Sequence, residues 1–211
     1  DRTMHGWEGA LPGFAGALLV AMVALFTMWL ADTQAFRPFR YLLALAYGLG
    51  AALAWSGLWA LGNRLFGRHA RLGRHLFIFG CGIAVLMLFR LASSAAGYAY
   101  SIELFTRYGS HVAILLVAGM VYFHLGTVKP GPRKRHAIVC AALALLGSGL
   151  VLISNEQRNG RLADELYMSV LLPPEMRATP NASVDEFMAD VAAMKEELDR
   201  ERRDQDGVGG K

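Results

Sequence analysis

The sequence predicts an all-α integral membrane protein: a five-helix transmembrane bundle with a short extramembrane C-terminal segment and an amphipathic helix. Hydrophobic residues make up 55% of the 211 residues and charged residues only 18%, a composition too apolar for a soluble domain of this size. Five apolar stretches have about the 20 residues that a helix needs to cross a bilayer. These spans are 11–31, 41–61, 76–96, 111–128 and 137–154.

The charges are sorted along the chain. Residues 1–154 hold 13 of the 21 Lys and Arg but only 4 of the 17 Asp and Glu, which favours a basic membrane face with a separate acidic tail over nucleic-acid binding. Two basic loops lie on one side of the spans and are predicted to face lipid headgroups: Arg64, Arg68, Arg71, Arg74, Lys129, Arg133, Lys134 and Arg135. Because basic loops stay in the cytoplasm, we expect residues 1–10 in the cytoplasm and the tail, 155–211, on the other side of the membrane.

Small residues recur four positions apart within the spans, a spacing that lets helix backbones approach closely in a membrane. The pairs are Ala46 with Gly50, Gly80 with Ala84, and Ala144 with Ser148. Two interpretations stay open: packing within one chain, and a face that forms a homo-oligomer.

The tail contains two apolar segments. The first, 166–172, supplies the anchors Leu166, Tyr167, Val170 and Leu171 and is stopped by Pro173 and Pro174. The second is a predicted helix over 184–203, which opens with the capping-box residues Ser183 and Glu186. Its apolar face includes Phe187, Val191 and Met194. Two heptads are too few to be stable alone, so we expect the tail to pack on its own bundle or to bind a protein partner.

The sequence lacks the usual signatures of catalysis. It has no Gly-x-Ser-x-Gly motif, no glycine-rich phosphate loop and no carboxylate pair within the spans. We therefore expect no enzymatic activity, no metal site and no cofactor.

Arg90 and the histidines are the other residues that invite a functional interpretation. Arg90 lies about 21 Å along its span, where snorkelling or pairing with Glu103 or Asp32 competes with a role in transport. A transporter or channel, with Arg90 and His111 lining a path, is the main alternative function. A less favoured alternative is a haem-binding subunit using His75, His124 and His136, which fall near one membrane level. No metal-ligand spacing accompanies these three, so we interpret them as interfacial residues.

One stretch carries a family resemblance. The sequence "NGRLADELYMSVLLPPEMR" at 159–177, followed by a short acidic helix after five spans with basic loops, resembles the C-terminal membrane region of bacterial forkhead-associated (FHA) domain-containing inner-membrane proteins. The distinctive part is "LYMSVLLPPEMR" at 166–177, whereas the spans match in number and pattern only.

The resemblance implies a membrane anchor and scaffold of a signalling or assembly protein in a bacterial inner membrane, with the tail, 155–211, in the periplasm. In such proteins an N-terminal FHA domain reads phosphothreonine in a partner, and the membrane region anchors it. The elements of that domain do not precede the first span, and the chain begins at Asp1 rather than Met. We therefore expect the phosphoprotein-binding part to lie in sequence upstream of this chain.

Overall fold

The computed structural model describes residues 10–66, 70–102, 104–129, 131, 133–160, 162–164, 172–179 and 183–208. Five long helices form the bundle, and two further helices lie between or after them. Within the described residues the helices are α1 (Ala10–Ala31), α2 (Pro38–Phe66), α3 (Leu72–Tyr100), α4 (Leu104–Arg107), α5 (Gly109–Val128), α6 (Arg133–Asn159) and α7 (Val184–Val208). A 3₁₀ turn occupies Pro174–Met176. The predicted fold class is confirmed, since α1, α2, α3, α5 and α6 are each long and apolar enough to cross a membrane.

The helices extend beyond the predicted spans. At 1.5 Å per residue the 29 residues of α3 measure about 43 Å, more than the ~30 Å hydrocarbon core and close to the full bilayer thickness. Both ends of α3 are set by left-handed residues, Arg71 with φ 47° and Ser101 with φ 52°. This conformation lies outside the right-handed helical region, so α3 begins after Arg71 and ends before Ser101. Apolar length alone therefore located the spans but underestimated the helices.

The bundle has two ends. The basic end carries the connections from α2 to α3 and from α5 to α6, and the tail end carries the end of α6 and the residues that follow it. Large side chains cover the outside of the bundle and are exposed, for example Phe14 at 75% and Leu145 at 75%. An exterior this apolar is stable in lipid and not in water. The chain is a multi-pass membrane protein.

Glycines bring α1 and α3 into backbone contact. A Cβ on Gly16 would overlap the carbonyl oxygen of Leu76, and a Cβ on Gly80 would lie 2.6 Å from the Gly16 oxygen. A Cβ on Gly13 would lie 3.1 Å from the Gly73 Cα in the same crossing. Close backbone approach of this kind is how membrane helices associate without a hydrophobic driving force.

The small-residue pairs noted in the sequence have different surroundings. Gly80 packs within the chain, on Gly16, and Ala144 is buried. Gly50, in contrast, faces open space, because a Cβ built there would meet nothing within 4 Å. Packing within one chain therefore accounts for Gly80 and Ala144 but not for Gly50.

Asp164 ties the tail end of the bundle together. Its carboxylate accepts hydrogen bonds from the Ser110 N–H at 3.1 Å and from the Asn155 side chain at 2.8 Å. Its own N–H donates to the Arg107 carbonyl at 2.9 Å. Asp164, which follows the end of α6, thus caps the first turn of α5. Its negative charge there also complements the helix dipole.

The stability contributed by Asp164 should depend on pH. Burial acts to raise the pKa of this carboxyl, but hydrogen bonds from Ser110 and Asn155 outweigh it and hold the pKa below the ordinary value of 3.8. A lowered folded-state pKa stabilises the fold above the ordinary value, and this contribution is lost as the pH falls through the folded pKa. We expect Asp164→Ala to lower the unfolding free energy at pH 7, and this difference from the native chain to shrink below about pH 3.8. Unfolding in detergent at pH 7 and pH 3, followed by circular dichroism, measures this difference.

A matched change in α7, Asp190→Ala, serves as the control, because Asp190 belongs to the separate unit that begins at Arg177. A difference between the native and Asp164→Ala chains that is the same at pH 7 and pH 3 would contradict the carboxylate's role.

The chain divides into two compact units, 1–176 and 177–211. In the second unit, the predicted cap of α7 is confirmed, since the Ser183 hydroxyl accepts a hydrogen bond from the Glu186 N–H at 3.1 Å. Three residues of the predicted docking face of α7 are exposed at 60%, 40% and 58%: Phe187, Val191 and Met194. A single helix cannot cover its own apolar face, so the docking of this face stays a prediction.

The first tail segment is described only at its end. Four of its predicted anchors, Leu166, Tyr167, Val170 and Leu171, lie outside the described residues. Leu172 lines a crevice between α1 and α3, and the 3₁₀ turn that contains Pro174 contacts α3. Pro173 immediately precedes that turn and accepts a hydrogen bond from the Met176 N–H at 3.0 Å.

Candidate functional site

A buried polar cluster occupies the basic end of the bundle. Asn63 lies near the end of α2, His75 in the first turn of α3, and His124 in the last two turns of α5. Both imidazoles have no exposed surface, and Asn63 is 3% exposed. Three helices thus bring together three polar side chains that are separated by 12 and 49 residues in the sequence.

Hydrogen bonds link these side chains into a chain. His75 Nδ1 lies 2.8 Å from His124 Nδ1, and His75 Nε2 lies 3.0 Å from the Asn63 side-chain amide. At the other end, the Trp55 indole N–H donates to His124 Nε2 at 3.2 Å. The two imidazole planes are inclined by only 23° with centroids 5.1 Å apart, so the rings meet edge to edge. We call Trp55, His124, His75 and Asn63 the histidine clasp.

Trp55 fixes the direction of the clasp. An indole N–H can only donate, so His124 Nε2 accepts and the proton of neutral His124 sits on Nδ1. His124 Nδ1–H then donates to His75 Nδ1, which leaves the His75 proton on Nε2. The structure has the Asn63 amide nitrogen, a donor, 3.0 Å from His75 Nε2, so this chain of bonds requires the amide to be turned over, with its carbonyl oxygen accepting from His75 Nε2–H. The two neutral histidines therefore have opposite tautomers.

Aromatic packing holds His124 in place. The Trp59 ring stacks on it with a centroid separation of 5.0 Å and an interplanar angle of 7°, and Trp55 meets it edge-on at 6.2 Å. Trp55, Trp59 and Asn63 are spaced by four residues, so they follow one another along one face of α2. One helix face thus supplies the donor, the stacking platform and the acceptor.

The clasp is suited to holding helices together. All four ring nitrogens have hydrogen-bond partners, so protonating either ring would cost an existing bond inside the bundle. Two nitrogens that bind one tetrahedral zinc ion lie about 3.3 Å apart, and a metal on His124 Nδ1 would require a proton on Nε2, where Trp55 already donates. Within the described residues, no group of three or more His, Cys, Asp and Glu could hold a metal ion.

The position of the histidines corrects one interpretation of the sequence. His75 and His124 do lie near one membrane level, but they are buried and bonded to each other rather than interfacial. His136 does not share the hydrogen bonds or ring contacts between these two described histidines, and its ring lies edge-on to Tyr122 at 6.4 Å. His111, at the other end of the bundle, lies beside Tyr108. The three histidines considered together for haem are therefore not brought together.

Arg90 lies at the tail end of α3 and is exposed. It lines the crevice between α1 and α3 that Leu172 also lines. Asp32, one of its two predicted partners, instead forms an ion pair with Arg40 at 2.9 Å. The other, Glu103, lies outside the described residues.

The basic loops surround the opposite end. The Arg71 guanidinium donates to the Thr127 carbonyl at 3.5 Å and so joins the start of α3 to the end of α5. Arg71 and Arg74 are half-buried, whereas the other described basic residues of these loops are exposed: Arg64, Lys129, Arg133, Lys134 and Arg135. Arg68 is outside the described residues.

Sequence reasoning missed several residues of this region. Trp55 and Trp59 lie inside a span, where their four-residue spacing with Asn63 was the available signal. Gly16 was missed because its partner, Gly80, is 64 positions away in the chain. Comparisons with family models, curated proteins and solved structures found no match to this chain.

Proposed function

We propose that this chain is the non-enzymatic membrane anchor and scaffold of an FHA-type signalling or assembly protein. The observation that supports it best is the histidine clasp. Its polar groups are buried and bonded to one another across three helices, an arrangement that fixes a bundle. A transport path requires polar groups that face a water-filled cavity.

The proposal includes the orientation and the membrane. Basic residues concentrate at one end of the bundle, and the positive-inside rule favours the cytoplasm for that end. The resemblance of residues 159–177 to bacterial inner-membrane proteins supports a bacterial inner membrane. A reader of phosphothreonine attached ahead of α1 would then be cytoplasmic. The tail after α6 would be periplasmic, where α7 offers its apolar face to a protein partner.

A transporter is the second candidate, and the crevice between α1 and α3 favours it. This crevice has a volume of about 400 Å³ and combines Arg90 with the hydroxyl residues Thr27 and Ser94. A cation inside an apolar crevice at membrane depth is a feature of substrate paths.

The proposed function is tested on protein purified from its native membrane in mild detergent. Mass spectrometry would identify everything that stays bound, together with the N-terminal peptides of the gene product. We expect peptides of an FHA domain and a stoichiometric protein partner. A product that begins near Asp1 and copurifies only with itself would refute the anchor proposal and favour the transporter.

Arg90 separates the two candidates. We expect Arg90→Leu to unfold with a free energy no lower than that of the native chain, because a charge at membrane depth is costly and its removal does not destabilise a bundle in lipid, and we expect it to retain the copurified partner. Arg64→Leu, a matched change of an exposed arginine at the basic end, is the control. Loss of the partner, or loss of solute flux into vesicles, in Arg90→Leu alone would contradict the anchor proposal.

A further inference from the structure

An apolar groove runs along the outside of the bundle between α3 and α5. On α3 its lining begins near Phe77 and reaches Val85, and on α5 it runs from Phe123 back to Leu115. Its volume is about 400 Å³, within the range of small-molecule sites. Three of its lining residues are exposed, at 48%, 63% and 60%: Val85, Phe123 and Leu115. The groove therefore opens to the surrounding lipid.

A small cationic pocket continues this groove to the basic end. That pocket shares Phe77, Ile78 and Phe123 with the groove and adds Arg74 and Thr127. The Arg71 guanidinium, which donates to the Thr127 carbonyl, lies at the same end. An apolar channel that ends at Arg74, with Arg71 bonded to the Thr127 residue of the same pocket, matches an amphiphile with an anionic head.

The dimensions select the occupant. From Arg74 to Val85 the groove follows eleven residues of α3, or about 16 Å of helix, close to the ~15 Å of hydrocarbon in one leaflet. One acyl chain of a single leaflet therefore matches the groove in length.

Small residues keep the groove open. A Cβ on Gly119 would meet nothing within 4 Å, so that position borders free space. A Cβ on Gly82 would instead collide with Met120, at 2.6 Å from its sulfur. Gly82 lets the Met120 side chain pack directly against α3 and close the base of the groove. Gly119 has no side chain, so the space beside it stays empty.

We propose that the groove between α3 and α5 is a binding site for one anionic phospholipid, with an acyl chain along Phe77, Gly119 and Leu115 and its phosphate beside Arg74 and Arg71. This inference is independent of the proposed scaffold function, since an anchor and a transporter would both present the site. It differs from general attraction of lipid to the basic loops because it assigns the chain to one groove and the head to two named arginines.

Native mass spectrometry of the full chain, titrated with phosphatidylglycerol or phosphatidylcholine in detergent, tests the site. We expect tighter binding of phosphatidylglycerol and at least tenfold weaker binding of it to Gly119→Leu, which fills the groove. Arg74→Gln should weaken it about fivefold, the factor for one basic residue near the membrane surface, and leave phosphatidylcholine unaffected.

Two matched controls separate the groove from general effects. Gly50→Leu adds the same side chain at another glycine that borders open space, and Arg64→Gln removes an exposed arginine at the same end of the bundle. Both should bind phosphatidylglycerol within twofold of the native chain.

Three results would overturn the proposal: unchanged binding to Gly119→Leu, equal losses in Arg64→Gln and Arg74→Gln, or equal affinity for the two lipids. A copurified protein that is lost only in Gly119→Leu would instead make the groove a protein-binding surface. Because Arg74→Gln leaves the apolar packing intact, it tests the headgroup site even if Gly119→Leu destabilises the bundle.

Discussion

Replacement of Gly16 by alanine is expected to separate α1 from α3. The new methyl group would overlap the Leu76 carbonyl and lie 2.6 Å from the Phe77 backbone nitrogen. Backbone atoms cannot rotate away as a flexible side chain can, so the helices must move apart along a crossing that also includes Gly13 and Gly80. Overpacking of this kind costs about 1–3 kcal/mol, and occasionally more. Unfolding in mixed micelles, followed by circular dichroism, measures the loss.

Gly50→Ala is the matched control for this substitution. It also adds one methyl group to a helix, but at a glycine with nothing within 4 Å of the new atom. Alanine has the higher helix propensity by up to about 1 kcal/mol, so this control should be neutral or stabilising. Equal stability of Gly16→Ala and Gly50→Ala would show that the close crossing of α1 and α3 does not support the bundle.

Removal of either histidine of the clasp is the second change with a large expected effect. His124→Ala leaves the Trp55 N–H and His75 without their partners, and each unsatisfied buried group costs about 1–3 kcal/mol. His75→Ala likewise leaves His124 and Asn63 without their hydrogen-bond partner. The unfolding free energy lost in the double variant should be smaller than the sum of the losses in the two single variants. The difference should be about 0.6–1.7 kcal/mol, the coupling found for hydrogen bonds between membrane helices.

The control for the clasp is His136→Ala, at the same end of the bundle, with an expected effect within about 0.5 kcal/mol. Nitrogen-15 NMR of labelled histidine gives an independent readout, because the clasp requires a proton on Nδ1 of His124 and on Nε2 of His75. Additive losses in the two histidine variants, or the same tautomer at both positions, would refute the directed hydrogen-bond chain.

The histidine clasp shows how far sequence reasoning reaches into a membrane bundle. The sequence predicts that His75 and His124 lie near one membrane level, because each is close to the end of a span. Whether they faced lipid, water or each other depended on the rotation of α3 and α5 about their axes. Apolar length carries no information on rotation when the whole circumference of a helix is apolar.

The tail illustrates a different division. Ser183 and Glu186 predicted the start of α7 correctly, because a cap is made by residues a few positions apart. The Asp164 cap on α5 was not predictable, since it joins a residue beyond α6 to an N–H that lies 54 positions earlier. Local hydrogen bonds can be read from spacing, whereas those that close the bundle require the packed helices.

The sequence by itself determined that this protein is an all-α membrane bundle of five spans, because the length of an apolar stretch needed to cross a bilayer is fixed by the bilayer. It also located the basic end and the capped amphipathic helix, which depend on neighbours along the chain. Only the tertiary structure decided that Gly16 meets Gly80, that the two histidines of the clasp are hydrogen-bonded to each other, and that a groove opens beside Gly119. These features depend on which helix faces meet, and packing among helices that are apolar all round is settled by shape rather than by hydrophobic pattern.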